Sequence, residues 1–443
     1  MAVSMDSVGD INPKLSEIVI NLDNFIENIN CLRESFNYSD IMLRQQKISS
    51  LNAYNKFVTT YRVQDENENE NKSIVIPNEK LREFHKLSKK KDRAEKASEL
   101  IPPTYIISLV SLFDSFLAGL VRCVYNLKPD LLLDSQQLFT YREIVKYDTT
   151  REVKKIIIDN TIDKLFRDSH KEQIKWFEKA FEVNTLKKFA GWGDFIELTE
   201  RRNLFVHAEG IVSGQYLEEC SRNDYKLDNI NIGRKLKVDN GYFEKSYSLL
   251  YEMAIMLTQI LINKLYLGNE KFSTDTSVRD NIFINNVYEL ICEEHFDIAI
   301  NVSKFAIDKA FKRNNKDKTF IELNLAQAYK WSGKEKECKA ILQNLDTSAM
   351  NTDLQIPKKV LEEEYDEVYS MMKALGKGSK ILTKEAYREW PIFRDIRKQT
   401  KFEETFEAIF GEALVINENS DTADIEDIKD GALANVTKQP CNG

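Results

Sequence analysis

Apolar residues recur at helical spacing along most of the chain. Leu15, Ile18, Ile20, Leu22, Phe25 and Ile29 predict a helix over 12–36, and a second one follows over about 40–61. The string DENENENK at 65–72 is acidic and polar and reads as a loop. A charged helix over 78–98 carries Lys89, Lys90 and Lys91. Pro102 and Pro103 then stand where a helix should begin, because proline in a first turn gives up no needed N–H. The helix behind them runs to about Asn126. Its apolar stretch, Tyr105 to Tyr125, is interrupted by Asp114 and Arg122, so it reads as a buried core helix rather than a membrane span.

Helices are expected again over 151–167 and 170–182, and Gly191 and Gly193 mark a break. Asp194 and Glu197 have the spacing of a capping box, with Leu198, Leu204, Phe205 and Val206 in the helix behind them and Gly210 as a left-handed stop. Residues 214–240 are less regular, with a short strand or loop at NINIGRKLKV, and 241–266 predict an amphipathic helix. Beyond Gly268 the helices pair: 280–293 with 295–312, and 317–332 with 334–345. More helix is expected over 356–375 and 383–410, and from about Leu414 an acidic, aperiodic tail is expected to be disordered. The fold class is therefore all-α. The expected parts are an N-terminal helical segment over 1–80, a helical bundle over 81–268, helical hairpins over 269–413 and a tail over 414–443.

Composition supports the helices, since 443 residues include only 15 Gly and 8 Pro. A net charge of −8 argues against a generally basic nucleic-acid coat, but steering depends on where charges lie. Lys89, Lys90 and Lys91, with Arg93 nearby, are thus candidate contacts for RNA phosphates. The six cysteines, at 31, 123, 220, 292, 338 and 441, form no C-x-x-C pair and stand near no histidine cluster. They suit reduced thiols in a cytoplasmic protein better than zinc or a disulfide scaffold. The N-terminus lacks the pattern of a secretory signal. No glycine-rich phosphate loop, G-x-S-x-G elbow or His-Glu metal motif occurs, so neither cofactor nor metal is expected.

Four histidines (His85, His170, His207, His295) limit the choice of a neutral-pH acid or base. His207 follows Arg202 by five residues, and arginine is the side chain best shaped to hold a phosphate. Glu200, Asn203 and His207 share one face of an ideal helix, while Arg202 lies about 100° round from Asn203. Glu197 stands four residues before Arg201 and can pair with it. His85, His170 and His295 have no companions in the sequence and are expected to be structural or surface residues. Trp390 and Phe393 are expected to pack at the end of a helical array.

The string from Glu197 to Val212, with Arg202, Asn203 and His207 in R-x4-H spacing, resembles the signature helix of the HEPN superfamily. The stretch Leu109 to Leu117 is similar to the HEPN helix that packs on it, with Asp114 as its acidic residue. The resemblance covers roughly residues 90–267. It implies a helical bundle that dimerises so that two motif helices share one cleft. It also implies metal-independent RNA cleavage leaving a 2′,3′-cyclic phosphate and a 5′-hydroxyl, often in phage defence or toxin systems. His207 would be the acid/base, Arg202 the phosphate clamp and Asn203 a positioning residue. Glu197 or Asp114 would orient the arginine or the imidazole, and Arg201 offers an alternative R-x5-H reading. Further on, Leu325-Ala326-Gln327-Ala328-Tyr329 and Gly333-Lys334 resemble tetratricopeptide-type hairpins, which implies a protein partner for the C-terminal helices. A non-catalytic RNA- or nucleotide-binding module and a helical adaptor are the other readings.

Overall fold

The computed structural model describes residues 13–61, 74–132, 140–167, 169–181, 189–267, 277–307, 313–348 and 350–415. The predicted acidic loop and all but the start of the predicted tail lie outside these. The protein is all-α. Among the described residues no β-strand forms, and an isolated antiparallel bridge joins Ile211 to Lys235.

Helix α1 (Pro13–Thr60) is continuous, where the sequence pattern predicts two helices. The expected break at 37–39 holds neither glycine nor proline, and the turn there is tied down by packing. Phe36 stacks on Phe243 with ring centroids 3.9 Å apart, and the Ser39 hydroxyl hydrogen-bonds the Tyr105 hydroxyl at 2.6 Å. Helix α2 (Leu81–Leu127) is also continuous, so Pro102 and Pro103 sit inside a helix and do not start one. The two prolines free the carbonyls of Ser98 and Glu99, which are half-buried and exposed, so water can take over from the missing N–H groups. Packing along α1 keeps α2 continuous across this point. Phe57 meets Phe84, Phe36 meets Tyr105, and Phe25 meets Phe113 and Phe116. Those pairs run in opposite directions along the two helices, so α1 and α2 form an antiparallel pair. Residues 13–60 therefore belong to the same packed body as α2 and are not a separate N-terminal segment.

Short helices α3 (Tyr141–Ile144), α4 (Thr150–Leu165) and α5 (His170–Phe181) follow. Then come α6 (Trp192–His207), α7 (Gly214–Arg222) and α8 (Asn240–Leu267). Helix α7 falls where the sequence looked irregular. Ser213 caps it, its hydroxyl accepting the Tyr216 N–H at 3.2 Å. Helix α8 is buried on every side from Leu249 to Asn263, against α1, α2, α6, α9 (Ser277–Cys292) and α10 (Phe296–Ile307). It is buried all round there, where the sequence pattern predicts an amphipathic helix. Helix α2 is long and apolar enough, by length and composition alone, to cross a membrane. Ile106, Leu109, Val110, Phe113, Leu117, Leu120 and Val124 are nonetheless buried within the protein.

The chain divides into two compact units between Ala328 and Tyr329, inside α11 (Asn315–Trp331), rather than at the expected boundary near 268. The second unit contains α12 (Glu335–Asn344), α13 (Thr352–Leu361), α14 (Tyr365–Leu375), α15 (Lys384–Glu389) and α16 (Thr400–Phe410). Two helices thus replace the single one expected over 356–375, and α15 and α16 replace the one expected over 383–410. After α15, Trp390 and Phe393 are buried, and the Arg397 guanidinium bonds the carbonyls of Tyr387, Arg388 and Trp390.

Three helix-to-helix turns share one geometry. Glu294, Gly333 and Glu363 take φ of 61°, 76° and 64°. The next N–H in each case reaches five residues back, His295 to Leu290, Lys334 to Tyr329 and Glu364 to Lys359, at 2.7, 2.9 and 3.1 Å. This is the Schellman closure of a helix end. The first two correspond to the turn positions the sequence pattern matched; the third adds a hairpin it did not show.

Candidate functional site

Helix α6 begins two residues before the predicted capping box. Its N-cap is Gly191, with no side-chain cap, and the Trp192 indole N–H instead anchors the first turn on Asn223 at 3.1 Å. Gly193 is required here, because a Cβ would stand 2.8 Å from the Asn223 carbonyl oxygen. Asp194 pairs with Lys245 at 2.6 Å, and Glu197 points into the core, so neither closes a capping box. At the other end the stop is as expected. Gly210 has φ +80°, its N–H bonds the Leu204 carbonyl at 3.0 Å, and an added Cβ would meet the Phe205 ring at 2.9 Å. The chain then pairs briefly with 234–236, Val212 donating to Arg234 and Leu236 to Gly210.

The two neighbouring arginines have opposite fates. Arg201 is buried and pairs with Glu197, Nε to Oε1 at 2.6 Å, as the four-residue spacing suggested. Tyr216 donates to Glu197 Oε1 at 2.7 Å, Tyr242 donates to Oε2 at 2.9 Å, and the Arg201 guanidinium lies 3.9 Å from the Tyr242 ring centroid. Arg201 also donates to the Lys237 carbonyl at 3.2 Å. These contacts complete a buried ion pair in which both carboxylate oxygens accept hydrogen bonds. Glu197 therefore supports the fold and orients neither Arg202 nor His207, and the R-x5-H reading through Arg201 falls away.

Arg202 turns the other way, toward Asp114 on α2. Its Nη2 lies 3.4 Å from Asp114 Oδ2, and its Nη1 donates to Asn203 Oδ1 at 3.1 Å. Its Nε is buried with no acceptor. Two of the five N–H donors of the fork are thus engaged. His207 ends the helix, exposed to solvent, and forms no side-chain hydrogen bond among the described residues. Along an ideal helix it lies about 7.5 Å beyond Arg202 and about 140° round from it. One copy of α6 therefore presents the arginine and the histidine on different faces.

His170, which the sequence left without a companion, belongs to this site. Its Nε2 is 2.8 Å from Asp114 Oδ1. Glu200 lies close by; burial pushes its carboxyl above the ordinary range, Glu219 adds to the effect and His170 opposes it. No spacing rule would have found His170, because 56 residues separate it from Asp114. His295 also has partners elsewhere, Tyr247 at 3.3 Å and Glu293 at 3.6 Å, while His85 is exposed. Of the lysine run, Lys89 and Lys90 are exposed, whereas Lys91 pairs with Asp92 and covers the Tyr54 ring at 5.0 Å. The described cysteines form no disulfide, and burial pushes the Cys220 thiol up to about 12, which makes it an inert core group.

Compared with known proteins, the chain matches no family model, no curated protein and no solved structure.

Proposed function

We propose that the protein is a metal-independent endoribonuclease of the HEPN type, working as a homodimer. Arg202 binds the scissile phosphate, Asn203 and Asp114 hold the guanidinium, and His207 moves protons. The RNA's 2′-hydroxyl attacks the adjacent phosphorus, the bond to the 5′-oxygen breaks, and a 2′,3′-cyclic phosphate and a 5′-hydroxyl result. The reaction needs one group to take the 2′-hydroxyl proton and another to protonate the leaving oxygen. His207 of the second copy protonates the leaving oxygen, and water takes the 2′-hydroxyl proton. Arginine donors stabilise the charge that builds on the phosphoryl oxygens.

One observation carries this reading: Arg202 is anchored by Asp114 with most of its donors unclaimed, on the helix that ends in an exposed His207. The angular gap between the two residues calls for a second copy to complete the site. Val206, Ile211 and Ile232 are exposed beside the same end of α6, a surface suited to burial against that copy. Lys89 and Lys90 then extend RNA contact along α2, and the C-terminal helices bind a protein partner. The biological role in this reading is phage defence or a toxin system, on family analogy alone.

The test is purified protein on total RNA with a chelator present, beside His207→Ala and Arg202→Ala. Cleavage by the wild type, lost in both variants, supports the nuclease. The separation of Arg202 from His207 around the helix favours a second reading, a phosphate-binding module without catalysis. RNA binding that needs Arg202, with no cleavage by any form, establishes that reading and rejects the nuclease.

A further inference from the structure

His170 opens α5, its ring edge-on to the buried ring of Phe195, with centroids 6.1 Å apart and planes at 87°. Asp114 uses one oxygen for His170, at 2.8 Å, and the other for Arg202, at 3.4 Å. A carboxylate only accepts, so His170 Nε2 carries the proton and donates it. Its Nδ1 makes no hydrogen bond among the described residues. Around the trio stand Glu200 on α6 and Glu219 on α7, the latter 3.6 Å from Lys171.

The three side chains differ in exposure in a telling way. Asp114 and Arg202 are 22% and 24% exposed, while His170 is 9% exposed. A long, partly solvated ion pair contributes little and fixes its arginine poorly. A buried imidazole N–H on the second carboxylate oxygen removes the carboxylate's freedom to rotate. The direction of Arg202 is then set by a group more buried than either member of the ion pair.

We propose that His170 is a positioning residue that aims Arg202 through Asp114. The inference rests on the reading of Arg202 as a phosphate clamp. Loss of the Nε2–H frees the carboxylate, and the guanidinium loses its fixed direction. Glutamine at 170 keeps a terminal N–H near the place of Nε2 but cannot titrate.

The experiment uses the full chain, with 15N-labelled arginine and with RNA cleavage as a second readout. The Arg202 Nε–H resonance, assigned by its absence in Arg202→Ala, should shift in His170→Ala and stay near its wild-type position in His170→Gln. His170→Asn, polar but too short to reach Asp114, gives the same shift should alanine unfold the chain. In cleavage, His170→Ala should lower kcat/KM about 10- to 100-fold, as for groups that orient functional ligands. His170→Gln should recover most of the activity. An unmoved Arg202 resonance, or a glutamine variant as damaged as alanine, would overturn the proposal. A wild type that cleaves no RNA rejects the nuclease reading, while the resonance still decides the role of His170.

Discussion

Arg201 and Arg202 are adjacent in the chain, yet one holds the fold and the other faces a site. Arg201 sits with Glu197 among Tyr216 and Tyr242, and breaking such a buried pair strands a charge. Glu197→Ala should therefore lower stability by about 3–5 kcal/mol in urea unfolding, the usual cost of removing one partner of a buried pair. Arg202→Ala should change it far less, because the pair with Asp114 is long and partly solvated. Equal losses in the two variants would mean that the assignment of roles is wrong. Gly210 is a second such position. Alanine there meets both a φ of +80° and the Phe205 ring at 2.9 Å. The left-handed backbone alone costs about 1–2 kcal/mol, so Gly210→Ala should unfold at clearly lower urea. The sequence showed Gly210 as a stop and Glu197 beside Arg201, because both are local, within one or two helical turns. It did not show His170 beside Asp114, because that contact depends on how α5 docks on α2.

Helix ends tell the same story at the next scale. The turns at 294, 333 and 363 share the left-handed residue and the five-residue bond, but only one of them uses glycine. Opposite outcomes are expected at equivalent places. Glu294→Gly and Glu363→Gly should each raise thermal stability, and Gly333→Ala should lower it, each by about 1 kcal/mol. A common sign for all three would refute the shared geometry. The existence of most helices was legible from apolar spacing, and their limits were less so. Proline read as a start in α2, yet packing along α1 carries the helix through it. A polar stretch read as a break in α1, yet Ser39 spends its hydroxyl on Tyr105. Helix α8 read as amphipathic, yet its polar Ser246, Glu252, Gln259 and Asn263 are all buried. In each case tertiary contacts, invisible to local pattern, decided the outcome.

Across the whole molecule, a buried titratable group makes stability respond to pH. Burial pushes the Glu252 carboxyl from 4.5 up to about 7, with Asp297 adding and the Asn301 amide, 2.8 Å away, opposing. The folded form thus holds a proton that the unfolded chain releases near pH 4.5. The contribution of Glu252 to stability falls as pH rises from there to about 7, because the folded state holds this proton over that window. Glu252→Gln should match wild type below pH 4.5 and unfold at higher denaturant above pH 7; a constant offset at all pH values would contradict this. In the proposed homodimer two copies share one site, Arg202 from one working with His207 from the other. Mixing Arg202→Ala protein with His207→Ala protein, each inactive alone, tests it most directly. Subunit exchange should restore cleavage of RNA to 5′-hydroxyl ends, because one mixed pair carries an intact Arg202 opposite an intact His207. A mixture as inactive as its parts would contradict the account.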